Sequence, residues 1–226
     1  LAPIAEEFLA SAGEAAVAAA CFGVAGPVVD EGAHQSAALT NLPWRLHSEG
    51  LAHALGIPKV RLINDFQAVG YGIEGLQASQ LETIQDRRRV PGGPRLVLGA
   101  GTGLGIAQLF PCAGHYEVYP TEGGHAAFAP VDDEQVALLK YLQREHGRVS
   151  CERLLSGAGL EAIYRFVSER DAGDPAQRRR VLSAPDPAAA VSAGALDRTD
   201  PEAIRALELF ASIYGSVAGD FALTAL

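Results

Sequence analysis

Methionine is absent from the 226 residues, tryptophan occurs once and cysteine three times. The thiols of Cys21, Cys112 and Cys151 are too scattered and too odd in number for a disulfide framework. No CxxC pair offers the spacing of a structural zinc site, so no metal site is expected. They read as reduced thiols of a cytoplasmic protein. Basic residues are also scarce: 18 Lys and Arg stand against 27 Asp and Glu, a net charge of −9. An acidic chain without a basic stripe repels phosphate backbones, so nucleic acid is not an expected partner. The densest basic runs, Arg87 to Arg89 and Arg178 to Arg180, read as solvated loop charge. No apolar run is expected to reach bilayer-spanning length. Residues 1–20 carry three glutamates and no basic residue, unlike a secretory signal. A membrane partner is therefore not expected.

Stop signals are missing at the ends. The chain begins at Leu1 and closes on the apolar run Phe221 to Leu226, without glycine, proline or a basic last turn. The expectation is a fragment truncated at both termini.

What is present suffices for one large or two modest cores, since 48% of the residues are hydrophobic. Residues 3–15 suggest a short helix with Ile4, Phe8 and Leu9 on one side. Val17 to Val24 reads as a buried strand, 46–55 as a helix ended by Gly56, and Val60 to Ile63 as a strand running into Asn64-Asp65. Helical character continues over 66–76. The polar stretch 77–94 marks the expected boundary between two domains, 1–76 and 77–226. Leu96 to Leu98 and Ile106 to Phe110 read as strands around a glycine-rich turn. Helix signals dominate from Asp133 onward, and Leu160, Ile163, Tyr164 and Val167 follow the spacing of one buried face. The segment 171–200, polar and rich in Pro, Ala and Asp, suggests a loop or a mobile segment. Asp200-Pro201 then opens a long helix, with a capping acceptor and a first-turn proline, whose expected apolar face is Ile204, Leu207, Ala211, Tyr214 and Ala218. Strands alternate with helices and then give way to them, which makes the class α/β.

Four local patterns carry chemistry. Gly99-Ala-Gly-Thr-Gly-Leu-Gly105 lets backbone N–H groups approach a phosphate, with the Thr102 hydroxyl beside them. It fits neither the P-loop nor the dinucleotide fingerprint, and by itself equally suits a hairpin that binds nothing. Asn64-Asp65 ends a short strand, where ligand sites of α/β sheets gather. An aspartate there can accept the proton of a hydroxyl, although an Asx turn or helix cap explains the pair as well. Glu122-Gly-Gly-His125 pairs a carboxylate with an imidazole around two glycines, which suits neighbouring hydroxyls, or is a turn with an incidental histidine. Glu152 offers a further acceptor, or is a helix-surface glutamate.

Taken in order, these patterns are recognisable. Together with Cys21-Phe-Gly-Val-Ala-Gly-Pro27, Thr40-Asn41 followed by Trp44, Ile63-Asn-Asp-Phe66, Glu122-Gly-Gly-His-Ala-Ala-Phe-Ala-Pro130 and Val149-Ser-Cys-Glu-Arg-Leu-Leu-Ser-Gly-Ala-Gly-Leu160, the chain resembles the bacterial glucokinase family. The likeness runs from about residue 17 to the end. It implies a two-domain, actin-like (ribonuclease H-like) sugar kinase fold that phosphorylates glucose with ATP and Mg²⁺, commonly as a homodimer. By the same resemblance Asp65 is the general base and Asn64, Glu122, His125 and Glu152 hold the sugar, with help from Asn41. Gly101, Thr102 and Gly103 contact the ATP phosphates. Kinases acting on fructose, mannose or N-acetylated amino sugars, and non-catalytic sugar sensors, are the alternatives. The family's first phosphate hairpin, an aspartate followed by Gly-Gly-Thr, and its adenosine-packing glycine pair do not occur here. The 226 residues on their own are therefore expected to be inactive.

Overall fold

The computed structural model describes residues 1–11, 16–40, 42–88, 90–171 and 173–225. The chain divides into two compact units, one of Leu1–Val90 with Cys112–Pro120, the other of Pro91–Pro111 with Thr121–Leu226. The break between Val90 and Pro91 falls within the polar stretch 77–94, and the later segment Cys112–Pro120 joins the first unit.

The first unit opens with helix α1 (Ala2–Ser11), of which no residue is buried; Ile4 and Phe8 stay exposed. Strand β1 (Ala20–Val24) follows. Next come three short strands not anticipated from the sequence, β2 (Val28–Asp30), β3 (Gln35–Ala38) and β4 (Arg45–His47), which form an antiparallel sheet. Their small and polar residues give little alternation to read. Helix α2 (Ser48–Leu55) ends at Gly56, whose left-handed backbone closes it. Strand β5 (Val60–Asn64) then returns to pair in parallel with β1, Ala20 opposite Val60 through Val24 opposite Asn64. This register makes both strands finish together, with Asn64-Asp65 on the carboxyl edge. Val24, Ala37, Leu46, Leu51 and Leu62 form a small core beneath. Helix α3 (Asp65–Gly72) packs so closely on β1 that a Cβ on Gly23 would stand 3.2 Å from that of Ala68. It is also tied to Val118, whose carbonyl oxygen accepts from Gln67 Nε2 at 2.9 Å. That bond is one reason the distant segment 112–120 belongs to this unit.

In the second unit, β6 (Arg95–Ala100) and β7 (Leu104–Cys112) form an antiparallel hairpin. Strand β8 (His115–Thr121), which follows, lies but for its last residue in the segment that belongs to the first unit. Helices α4 (Asp133–His146) and α5 (Gly157–Arg170) pack beneath the hairpin. The segment expected to be a loop instead contains α6 (Pro175–Leu182) and α7 (Pro187–Leu196), before α8 (Pro201–Leu223). All three of these helices start alike. Asp174, Asp186 and Asp200 each accept a first-turn N–H, and proline takes the first helical position. Val181, Val191 and Ala195 are buried. The face predicted around Tyr164 holds: Leu160, Ile163, Tyr164 and Val167 are all in the core.

The expected face of α8 is rotated. Its buried line is Ala203, Ala206, Leu209, Ile213 and Val217, while Leu207, Phe210 and Tyr214 lie half-buried beside it. At 23 residues α8 is also long and apolar enough to cross a membrane by length and composition, contrary to the expectation that no run is. Here that apolar character packs one side of the helix into the core shared with α5 and α7.

Buried Asp200 joins the helices. It accepts from Tyr164 Oη (3.0 Å), Gln177 Nε2 (2.8 Å) and the N–H of Ala203 (3.0 Å), so one carboxylate fastens α5 and α6 to the start of α8.

Candidate active site

The carboxyl edge of the β1–β5 pair presents Asn64 and Asp65. Asn64 caps α3: its Oδ1 accepts from the N–H groups of Phe66 (2.9 Å) and Gln67 (3.2 Å), and its Nδ2 donates to the carbonyl of Gly26 (3.3 Å). The helix-cap alternative is therefore realised in the structure, and the Asn64 side chain is largely spent on local architecture. Asp65 is exposed at the first position of the helix, with Oδ1 accepting from the Phe66 N–H at 2.8 Å. Asn41 lies outside the described residues.

In the second unit, Ala100 pairs with Leu104, leaving Gly101-Thr102-Gly103 as the hairpin tip. The Gly101 N–H closes the turn onto the Gly103 carbonyl at 2.8 Å, and the Gly101 carbonyl accepts from the Gly157 N–H at 2.9 Å. The hairpin tip is thus bolted to the start of α5, a helix capped by the Ser156 hydroxyl with no acidic residue in its first turn. The N–H groups of Thr102 and Gly103 have no protein acceptor among the described residues. They lie beside an unneutralised helix N-terminus, an arrangement suited to an anion.

Glu122, His125 and Glu152 come together although thirty positions separate the first from the last. A stretch of backbone pairing achieves this: Phe128 N–H bonds the Val149 carbonyl (3.0 Å) and Cys151 N–H the Ala126 carbonyl (2.9 Å). His125 Nε2 lies 3.6 Å from Glu122 Oε2, and its Nδ1 lies 3.8 Å from Glu152 Oε1. Glu122 and His125 are exposed, whereas the Glu152 side chain is only 34% exposed. Its Oε2 accepts the buried Leu104 N–H at 3.0 Å, at the root of the hairpin. The Gly123-Gly124 turn allows the close approach, because a Cβ on Gly124 would overlap the Leu104 carbonyl oxygen. Arg148 fixes the far side by donating to the His125 carbonyl at 2.7 Å.

Beyond the hairpin tip is a cavity of about 770 Å³ whose lining includes Thr102, Asp186, Ser192, Phe210 and Tyr214. Asp186, Ser192 and Phe210 are not singled out by the sequence, and Tyr214 only as part of an apolar helix face. The Asp-Pro start of α7 was the available signal for the first of them. The Tyr214 hydroxyl is pushed above its ordinary pKa by burial, partly offset by a hydrogen bond from the backbone of Ala100.

An α/β protein with a glycine-rich hairpin tip beside a cluster of two carboxylates and an imidazole is built like a sugar kinase. The glucokinase family model matches residues 1–226, and the chain belongs to the glucokinase family. It is 42% identical to the glucokinase of Nostoc punctiforme over 240 residues, covering all of this chain and 69% of that protein. It is likewise 42% identical to that of a Synechocystis species, covering 93% and 62%. Among solved structures, a glucokinase from an Antarctic psychrotroph superposes with a TM-score of 0.81 at 29% identity, over 100% of this chain and 66% of that one. Balamuthia mandrillaris glucokinase, crystallised with glucose, gives 0.75 at 24% identity over 98% and 65%. The chain thus spans about two thirds of the length of these relatives. Its fold is the hexokinase-type ATPase fold of these neighbours.

Proposed function

We propose that this protein transfers the terminal phosphoryl group of ATP to the 6-hydroxyl of glucose, giving glucose 6-phosphate and ADP. The observation that carries the reading is the double engagement of Glu152, which holds the hairpin root with one oxygen and faces His125 with the other. A group that recognises sugar hydroxyls is thereby set against a group that cradles phosphate.

Glu122, His125 and Glu152 accept hydrogen bonds from ring hydroxyls, two carboxylates and an imidazole being well matched to several neighbouring donors. Asn41 is assigned to the same task by resemblance. Thr102 and Gly103 supply N–H groups, and Thr102 a hydroxyl, to the phosphates; Gly101 closes the turn that aims them. ATP supplies the transferred group. The Mg²⁺ that accompanies it is held chiefly by phosphate oxygens and water, so no side chain is assigned to the metal. Asp65 takes the proton of the attacking hydroxyl, and Asn64 fixes the helix start on which Asp65 stands. Free thiols at Cys21, Cys112 and Cys151 suit a reducing, cytoplasmic setting. Assembly as a homodimer belongs to the same reading and is tested by molecular mass in solution.

The test is a coupled assay for glucose 6-phosphate on the full-length protein with glucose, fructose, mannose and N-acetylglucosamine. Glucose should be preferred over sugars altered at the 2-position, because a site built to bond a hydroxyl is left with unpaired polar groups when that hydroxyl is missing. Equal catalytic efficiency on glucose and N-acetylglucosamine would refute the pocket assignment, and absence of turnover on every sugar would refute the function.

A further inference from the structure

The walls of the 770 Å³ cavity differ in chemistry. On α8, Leu207 and the rings of Phe210 and Tyr214 make a largely apolar wall, with the two rings 6.2 Å apart. On α7, Asp186 and Ser192 are polar. The start of α7 lies close to the hairpin tip. A Cβ on Gly157 would stand 3.6 Å from that of Ala188 and 3.8 Å from the Gly101 carbonyl oxygen. Asp186, two positions before Ala188, is therefore near the phosphate end of the cavity.

The two helix starts facing this region have opposite electrostatics. That of α5 is capped by a neutral serine and keeps its positive character. That of α7 is capped by a carboxylate: Asp186 Oδ1 accepts the Ala189 N–H at 2.9 Å, and the charge cancels the helix end. A phosphate is drawn to the first and repelled by the second. Asp186 Oδ2 has no protein partner among the described residues. An unpaired carboxylate oxygen one short step from the phosphates, opposite an aromatic wall, suits the part of a nucleotide that lies between phosphate and base and offers only hydroxyl donors nearby.

We propose that Asp186 reads the ribose of the bound nucleotide, its Oδ2 accepting from the sugar's vicinal hydroxyls, and so selects ribonucleotides over deoxynucleotides. This rests on the phosphates lying at the hairpin tip, as in the proposed function. The same chemistry pairs an acidic residue with ribose in dinucleotide-binding folds.

Calorimetric titration of the full-length protein with ADP and with 2′,3′-dideoxy-ADP tests it without relying on turnover. The unaltered protein should bind ADP about tenfold more tightly than the dideoxy analogue, the scale of a hydrogen bond to a charged group. Asp186→Ser keeps a good helix cap but withdraws the second oxygen. It should weaken ADP about tenfold, leave the analogue unchanged and erase the difference. Asp186→Asn, which caps equally well, should reduce the preference while preserving the fold. Equal binding of the two nucleotides by the unaltered protein, or an undiminished preference in Asp186→Ser, would overturn the inference alone. No ADP binding by the unaltered protein would overturn the placement of the nucleotide on which it rests.

Discussion

A single methyl group at position 103 should separate the two functions of Glu152. A Cβ on Gly103 would stand 2.5 Å from Glu152 Oε2. That atom is the end of a flexible side chain, so the clash is relieved by swinging the carboxylate away, and the cost is what the carboxylate was doing. It accepts the Leu104 N–H at 3.0 Å, and Leu104 is only 5% exposed. Losing a charge-assisted hydrogen bond and leaving a buried donor unmet costs about 1–3 kcal/mol. For a chain of this size, about 2 kcal/mol lowers Tm by roughly 4–8 °C. Gly101→Ala is the control: nothing lies within 4 Å of its added Cβ, and its backbone is not among the positive-φ glycines. Its stability should stay within about 0.5 kcal/mol of the parent. Urea or thermal unfolding of both variants measures the difference, and glucose KM should rise for Gly103→Ala. If Gly103→Ala unfolds like Gly101→Ala with an unchanged KM, the Glu152–Leu104 bond organises nothing.

Asp65→Asn keeps shape and a hydrogen bond but cannot take a proton; kcat should fall by roughly two or more powers of ten with glucose binding retained, and near-normal turnover would remove Asp65 from the chemistry. Gly159→Ala would drive a Cβ into the Leu154 backbone, which cannot swing aside as a carboxylate can; a loss of about 3 kcal/mol is expected in urea unfolding. At Asp200, burial pushes the carboxyl pKa upward, but hydrogen bonds from Gln177, the Ala203 N–H and Tyr164 outweigh it and hold it below the usual carboxylate range. A depressed folded-state pKa gives stability that is complete above the unfolded value of about 3.9 and is lost as pH falls through the folded value. Unfolding free energy measured from pH 6 down to pH 2 should therefore decline more steeply for the parent than for Asp200→Asn, while the variant is already about 1–2 kcal/mol weaker at neutral pH; parallel curves would refute the assignment.

Elements with their own punctuation were legible in the sequence. The glycine turn between two apolar runs, the Tyr164 face of α5 and the Asp-Pro start of α8 all appear where periodicity and capping put them. The failures are equally specific. Asp174 and Asp186 carry the same Asp-Pro signal as Asp200, but the alanine, proline and aspartate around them resemble loop composition, which hides α6, α7 and one wall of the cavity. On α8 alanines alternate with larger residues, and the buried line chose the smaller ones, Ala203 and Ala206, because close packing against α5 and α7 leaves no room for more. Strands β2 to β4 are held by pairing across short turns rather than by an apolar alternation, which leaves little in the sequence to read. The proximity of Glu122, His125 and Glu152 depends on backbone pairing between residues 126–128 and 149–151, which residue types alone do not encode.

Leu104 shows why such a site needs its surroundings to be small. Its amide hydrogen is taken by Glu152, its carbonyl oxygen bars any side chain at Gly124, and its strand position is fixed opposite Ala100. Two segments distant in sequence therefore meet on the backbone of one residue. One arrives at a glycine, Gly124, because only a missing Cβ lets the backbones approach this closely. The other arrives as a carboxylate beside a second glycine, Gly103, and can reach a buried N–H from a distance and still offer a second oxygen outward. The hairpin and the acceptor cluster are thus a single structural piece: displacing either displaces the Leu104 backbone and, with it, the other. Preorganisation of this kind keeps the carboxylate–imidazole cluster and the N–H groups of the hairpin tip at fixed separation without waiting for a ligand to order them. The glycines of this region are accordingly explained by contact more than by flexibility, since neither Gly103 nor Gly124 adopts a positive φ.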